Sequence, residues 1–259
     1  MNVGNCILSM IPVREKPSDK SQMINQLIFG DLVRIKDRIK PWLLIESLDD
    51  EYCGWVDEKQ INPLEEETFE QYRMSPNIFL NQPTAIAQVA GIPMHLTMGS
   101  KLIEWDGIKM KINGDRYSFS SPPSIISGKK TTNELILIAH SFLGSPYLWG
   151  GRSIFGIDCS GFTQMVFKMA GYQLPRDSSK QAAYGKSIDF IHEAESGDLA
   201  FFEDEEGQIV HVGILLNKES IIHASGEVRI DTIDHEGIFN ESRQQYTHKL
   251  RIIKRIIND

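Results

Sequence analysis

The chain is predicted to be α+β, with a C-terminal domain of helices packed on an antiparallel sheet preceded by two small all-β barrels. Three observations predict it. Apolar residues at Phe162, Met165, Val166 and Met169 recur at i, i+3, i+4, i+7, the spacing of one helix face. After about residue 197 the texture turns to short apolar runs separated by acidic or glycine turns, and helices followed by such a run argue for an antiparallel sheet. The first 65 or so residues read as short strands broken by turns at close spacing.

In chain order, Cys6 to Val13 is the first candidate strand. Gly30-Asp31 makes a turn before Leu32 to Ile35, Pro41 precedes a strand from Trp42 to Glu46, and Gly54-Trp55-Val56 closes the set. Residues 66–128 repeat this style less clearly, with Pro76, Pro83, Pro93, Pro122 and Pro123 as breaks and hairpin turns at Asp106-Gly107 and Asn113-Gly114. Ser121 to Lys130 reads as a linker. The third domain, residues 129–259, opens on Thr131 with Glu134 three residues on, a capping-box spacing, and an apolar run from Leu135 to Leu143 that Gly144 ends. Ser178 and Gln181 repeat the capping-box spacing. The expected strands are Gly197 to Phe202, Ile209 to Leu216, Ser220 to Ala224, Val228 to Thr232 and Leu250 to Ile257. The domains are therefore 1–65, 66–128 and 129–259.

Composition narrows the function classes. Hydrophobic residues at 41% and charged residues at 24% of 259 are ordinary for a globular protein. A net charge of −8 leaves no basic footprint for nucleic acid or an anionic membrane. Three scattered cysteines make no disulfide framework, and neither C-x-x-C nor HExxH is present, so no metal site and no cofactor is expected. The first ten residues lack a basic segment and a long apolar run, and no stretch approaches the roughly 20 apolar residues of a membrane span. The expected location is cytoplasmic, or secreted or periplasmic if a leader has been removed.

The chemistry centres on Asp158-Cys159-Ser160-Gly161-Phe162. Asp158 is a good N-cap, which puts Cys159 in the first turn of a helix that Gly171 stops. Unpaired N–H groups and the positive dipole end favour a thiolate there, and such sites pull a cysteine pKa from about 8.5 to roughly 3.5–7.5. A lone cysteine so placed is more often simply a buried residue at a helix start. Two histidines shift the balance. His211 in "IVHVGILL" and His223 in "IIHASG" lie on consecutive strands, and a hairpin at Asn217-Lys218-Glu219 would set them roughly 5 Å apart. A base and its orienter on adjoining strands are what a Cys/His mechanism needs. Trp149 could wall a cleft or pack in a core. Arg176 and Asp177 read as a structural pair or a substrate contact, and Cys6 and Cys53 as small core residues. His95, His140, His192, His235 and His248 have no constellation around them.

The stretches "SPYLWGGRSIFGIDCSGFTQMVFKMAGYQLPRDSSKQ", "SGDLAFF", "HVGILL" and "IIHASG" resemble the NlpC family of papain-like cysteine peptidases of bacterial cell-wall metabolism, across residues 131–257. The resemblance implies Cys159 as nucleophile, His211 as general base and acid, and His223 as the polar third member. "VREKPSDKSQMINQLIFGDLV" and "YCGWV" resemble a bacterial SH3-type domain, and residues 66–128 a second, divergent one. The whole is similar to the γ-D-glutamyl-L-diamino acid endopeptidases that act on released murein peptides. That likeness implies Tyr52 and Asp158 at the substrate's free amine, with Glu15 as a candidate acidic partner, and Ser160 and Ser178 on its polar groups. Cys53 stands where that subgroup usually has proline.

The expected activity is therefore a cysteine endopeptidase cutting L-Ala-γ-D-Glu from the following lysine or diaminopimelate, with a murein-derived peptide as its partner. Two rivals are a secreted hydrolase of intact peptidoglycan and a catalytically inactive wall-binding protein. The intact Cys159, His211 and His223 argue against the second.

Overall fold

In the computed structural model, which describes residues 2–257, the chain divides into two compact units. One runs to Gly128 and includes Trp149–Ile154; the other is Lys129–Leu148 with Phe155 onward.

The first unit begins with β1 (Val3–Asn5), β2 (Met10–Arg14), β3 (Met23–Ile28), β4 (Leu32–Ile39), β5 (Trp42–Ser47), β6 (Cys53–Asp57) and β7 (Asn62–Leu64). They pair antiparallel in the order β3-β2-β6-β5-β4-β1-β7. Of the strand expected from Cys6 to Val13 only Met10 onward forms one, as β2, while β1 already ends at Asn5. The Cys6 N–H donates to the Asp31 carbonyl (2.9 Å) and its carbonyl accepts from Gly30 (2.9 Å), so the chain bends here against the Gly30-Asp31 turn. Gly30 holds φ +91°, and a Cβ there would lie 2.6 Å from the Lys101 carbonyl oxygen. Cys6, Ile11, Val13, Leu27, Val33, Leu43, Ile45, Val56 and Ile61 form the barrel core. Cys6 is the core residue it was expected to be; Cys53 is not, because as the first residue of β6 it faces out of the sheet and is exposed.

Residues 66–128 open with a helix that strand-like reading does not anticipate, α1 (Glu66–Met74), with Glu66 and Glu67 in its first turn and Arg73 in its last. That charge order suits the helix dipole, and Phe69 and Tyr72 bury its one apolar edge. After it come β8 (Ile78–Leu80), β9 (Thr84–Val89), β10 (Ile92–Thr97), β11 (Lys109–Ile112), β12 (Asp115–Phe119) and β13 (Ile125–Ser127). Four form a sheet ordered β10-β9-β12-β11, and β8 pairs with β13. Asn113 (φ +53°) and Gly114 (φ +86°) make the tight β11–β12 turn. This part shares its core with the first barrel: Val3, Phe29 and Leu32 pack with Phe69, Leu80, Ala87, Leu96 and Tyr117. Trp149–Ile154 joins the same unit through Arg152, which is 1% exposed. Its guanidinium reaches Asp31 (2.9 Å) and the Gln26 carbonyl (2.8 Å).

The second unit holds α2 (Thr132–His140), β15 (Gly156–Ile157), α3 (Cys159–Met169) and α4 (Ser178–Gln181), the pair β14 (Arg152–Ser153) of the first unit lying between α2 and β15 in sequence. Thr131 and Glu134 make a reciprocal capping box on α2, with bonds of 2.9 and 3.4 Å. The α2 helix stops at His140, short of Leu143, and the N-cap position of α4 is Asp177, not Ser178, with no capping bond from its side chain. The strands are β16 (Lys186–Ile188), β17 (Leu199–Glu203), β18 (Ile209–Asn217), β19 (Ser220–Ser225), β20 (Glu227–Ile233), β21 (Gly237–Asn240) and β22 (Gln245–Arg255). Their order is β16-β22-β17-β18-β19-β20-β21. The long β22 pairs with β17 along one half and β21 along the other, so the antiparallel sheet closes on itself. One face buries Ala200, Phe202, Leu215, Ile221, Ile233, Ile238 and Ile253. No helix is long and apolar enough to cross a membrane among the described residues.

Candidate active site

Cys159 is the first residue of α3 because Asp158 ends the preceding extended chain and caps the helix, its Oδ1 accepting the Gly161 N–H at 2.7 Å. Gly171 (φ +85°) terminates the helix. Asp158 does more than cap. The Arg176 guanidinium lies along both its oxygens, at 2.9 Å to Oδ1 and 2.6 Å to Oδ2, and the two groups are 2% and 5% exposed. Arg176 therefore pairs with Asp158, eighteen residues back, and not with its neighbour Asp177, which faces Lys180 at 3.5 Å. Ser160 belongs to the same group: its hydroxyl donates to Asp158 Oδ1 (3.3 Å) and accepts from Arg176 (2.9 Å). Gln181 ties this loop to α3, its amide donating to the carbonyls of Ser160 (3.0 Å) and Pro175 (2.8 Å) while Thr163 donates to its oxygen (2.7 Å).

The two histidines arrive from the sheet. The hairpin between β18 and β19 turns at Lys218-Glu219, and Gly213 pairs opposite His223. His211, two residues before Gly213, shares its face, so the imidazoles meet on the diagonal, His211 Nε2 to His223 Nδ1 at 2.9 Å. Gly213 makes the space: a Cβ there would lie 2.8 Å from the His223 Cβ and 2.7 Å from Ile221 Cδ1. The row continues into β20, where His223 Nε2 lies 3.0 Å from Asp231 Oδ2 and Arg229 holds the same carboxylate at 2.8 Å through Nε and Nη2. His248 stacks on His211 with centroids 4.1 Å apart and planes 28° from parallel.

The Cys159 sulfur takes the backbone N–H groups of Val212, next to His211, and of Ser160. Even so the thiol does not have the lowered pKa expected of a helix N-terminus. Burial, seconded by the Asp158 carboxylate, pushes it up to about 12, outweighing those amides and Arg176. Burial, with His223 and His248 nearby, holds His211 well below its ordinary value. Burial thus favours the uncharged form of each. Tyr147, in the same unit, feels the same surroundings: burial and then the Cys159 and Asp158 charges push its phenol up to about 12. It remains a proton donor at neutral pH.

Of the residues singled out in the sequence, Cys159, Asp158, Ser160, His211 and His223 come together in the second unit, and Ser178 opens α4, half-buried. Tyr52, Glu15 and Trp149 belong to the first unit. Tyr52 immediately precedes β6, its carbonyl accepting from the Ser47 N–H at 2.9 Å, and Glu15 is exposed just beyond β2. Trp149 is 58% exposed, which rules out core packing. Asp231, Arg229, Tyr147 and His248 are the site neighbours that the sequence reading passes over. The tight turn at Gly226 (φ +76°) was the available signal for Asp231, since it fixes the pairing of β19 with β20. No group of three or more His, Cys, Asp or Glu suited to a metal occurs among the described residues.

Residues 144–249 match the model of the NlpC/P60 family, and residues 13–61 that of the bacterial dipeptidyl-peptidase Sh3 domain. The gamma-D-glutamyl-L-lysine dipeptidyl-peptidase of Bacillus subtilis (strain 168) is 31% identical over 216 residues, 77% of this chain and 71% of its own length. The protein of the same name from Bacillus cereus (strain ATCC 10987 / NRS 248) is 27% identical over 251 residues, 86% and 74% of the two chains. The crystal structure of an NlpC/P60 family protein from Bacillus cereus ATCC 10987 superposes with a TM-score of 0.82 at 20% identity, covering 99% of this chain and 100% of that one, a likeness of fold. With a cysteine at a helix start, a histidine row beside it and a relative this similar over most of both lengths, the chain is a cysteine peptidase belonging to the NlpC/P60 family.

Proposed function

We propose that this peptidase hydrolyses the bond between γ-D-glutamate and the following lysine or diaminopimelate in murein-derived peptides that begin with a free L-Ala. The observation that carries the reading is the likeness, through both the Sh3 and the catalytic portions, to proteins named gamma-D-glutamyl-L-lysine dipeptidyl-peptidase. In this reading residues 66–128 are a divergent second SH3-like barrel, and the substrate is peptide already released from the wall for recycling.

Cys159 gives its proton to His211 as its sulfur attacks the γ-glutamyl carbonyl. The backbone N–H groups at the start of α3 and the Tyr147 hydroxyl are the donors for the oxyanion. His211 then protonates the leaving amine, and next takes a proton from the water that opens the thioester. An ammonium needs acceptors only, which suits Tyr52, Asp158 and the carboxylate of Glu15 as candidates for the substrate amine. Asp158 would fill that role beside Arg176, whose charge already balances it. Ser160, Ser178 and Trp149 remain candidates for other substrate contacts.

The test compares L-Ala-γ-D-Glu-L-Lys with its N-acetylated form by mass spectrometry, beside Cys159→Ala. The free peptide should yield L-Ala-D-Glu and lysine, and the Cys159 variant nothing. Losing a charge-assisted hydrogen bond of roughly 1.5–3 kcal/mol should slow the acetylated peptide by about 10- to 200-fold in kcat/KM. Equal rates on both would hand the case to an enzyme of intact wall.

A further inference from the structure

We propose that Asp231 is a positioning residue that sets the tautomer of His211 through His223, leaving His211 Nδ1 as the bare nitrogen that takes the Cys159 proton. The proposal rests on Cys159 and His211 being nucleophile and base.

The hydrogens along the row can be counted from one end. Asp231, His223 and His211 stand on β20, β19 and β18, each reaching the next on the diagonal of an antiparallel pairing. An ionised carboxylate can only accept. With Asp231 Oδ2 3.0 Å away, His223 Nε2 must carry a hydrogen. With His223 in its neutral form its one N–H is the one on Nε2, so Nδ1 is bare. His211 Nε2, 2.9 Å from that lone pair, must then carry the hydrogen of the second ring. Nδ1 of His211 is left with its lone pair exposed. The reversed arrangement, with the hydrogen of each ring on its Nδ1, keeps the bond between the rings but points a bare His223 Nε2 at the carboxylate. It would also cap with hydrogen the very nitrogen the thiol needs.

Burial works against the Asp231 charge, yet hydrogen bonds from His223 and Arg229 keep its carboxyl below the usual range, so it is ionised at neutral pH. His211 is neutral by burial. Arg229 donates from Nη2 to Asp231 Oδ1 and sets its Nε 2.8 Å from Oδ2, holding the carboxylate beside His223. During the reaction only two groups change protonation. The Cys159 proton moves to His211 Nδ1, and the imidazolium so formed keeps its Nε2–H on His223, whose own N–H stays on Asp231. The carboxylate thus also opposes the new positive charge from one ring away. His248, stacked on His211 and bonded at its Nδ1 to the Thr247 hydroxyl (2.9 Å), restrains the ring plane and is not part of the row.

The decisive variant is Asp231→Asn, which keeps size and shape but offers an amide N–H to His223 Nε2 and so permits the reversed arrangement. Its kcat should fall by roughly tenfold or more with KM and Tm near wild type, the mark of an orientation lost and not of binding or folding. Asp231→Glu should recover part of the rate. Long-range ¹⁵N–¹H spectra of histidine-labelled protein give a readout independent of any substrate. Wild type should show His211 as the Nε2–H tautomer, and Asp231→Asn a population of the Nδ1–H form. A wild-type His211 carrying its hydrogen on Nδ1, or Asp231→Asn at the wild-type kcat, would overturn the proposal. If the variant does not fold, the wild-type tautomer alone decides. Full activity in Cys159→Ala would instead sink the underlying mechanism while leaving the spectra to be judged on their own.

Discussion

Replacing Arg176 by methionine should be among the most damaging single changes outside the reacting residues. The guanidinium is 2% exposed and the Asp158 carboxylate 5%, with two parallel bonds of 2.9 and 2.6 Å between them. Methionine keeps most of the packed length but leaves a buried carboxylate without its counter-charge. Breaking such a pair from one side costs about 3–5 kcal/mol, because the remaining charge has lost its solvent and its partner together. At roughly 2–4 °C per kcal/mol for a chain of this size, Tm should drop by about 6–20 °C. Asp158→Asn keeps the N-cap acceptor for Gly161 but strands the guanidinium, and should cost a similar amount. The double variant removes both charges, so it should be no worse than either single one, which makes the coupling energy at least one single loss, about 3–5 kcal/mol. Urea unfolding followed by far-UV circular dichroism at pH 7 measures the cycle. Additive losses, or Arg176→Met within about 1 kcal/mol of wild type, would show that the pair is not desolvated as drawn.

Two further outcomes follow from the histidine row. Burial keeps His211 well below its ordinary pKa and lowers His248 to about 4, while in the unfolded chain both titrate near 6.5. Below pH 6.5 the unfolded state therefore binds more protons, and stability is lost as pH falls toward 4; the urea midpoint should already decline between pH 6.5 and 5, before carboxylates titrate, and a flat or rising midpoint there would contradict the burial of these rings. Gly213→Ala should lower kcat far more than it lowers Tm, because the added Cβ meets the His223 Cβ at 2.8 Å and pushes that ring off His211; unchanged turnover would mean the ring has room that the backbone spacing denies.

What the sequence revealed was whatever is written locally. The N-cap at Asp158, the helical spacing after Cys159 and the hairpin carrying His211 and His223 each lie within about a dozen residues, and each has a residue-type signature. Arg176 has none, because its meaning depends on a loop folding back to Asp158 under the hold of Gln181, a side chain that reads as an ordinary polar residue. The α1 helix was missed for the opposite reason: two apolar anchors, Phe69 and Tyr72, give almost no periodic signal, while glutamates at its start and Arg73 at its end carry the information as charge. Closure of the second sheet was out of reach, since β22 serves two partners at its two ends and only its length, eleven residues from Gln245 to Arg255, hints at that.

At Cys159 the helix start and the burial of the thiol pull in opposite directions. A helix start alone would favour thiolate, but here the sulfur is 6% exposed and the nearest carboxylate opposes it, so desolvation outweighs two amides and a guanidinium. Both carboxylates near the row have their own arginine, Asp158 facing Arg176 and Asp231 facing Arg229. In the proposed mechanism the raised thiol pKa favours a nucleophile made as it is used, with the proton crossing to His211 while the sulfur closes on the carbonyl. Such a step depends on His211 presenting a bare nitrogen at the right moment more than on the acidity of Cys159. The consequence is that geometry in β18, β19 and β20, and not charge at the start of α3, should govern the rate.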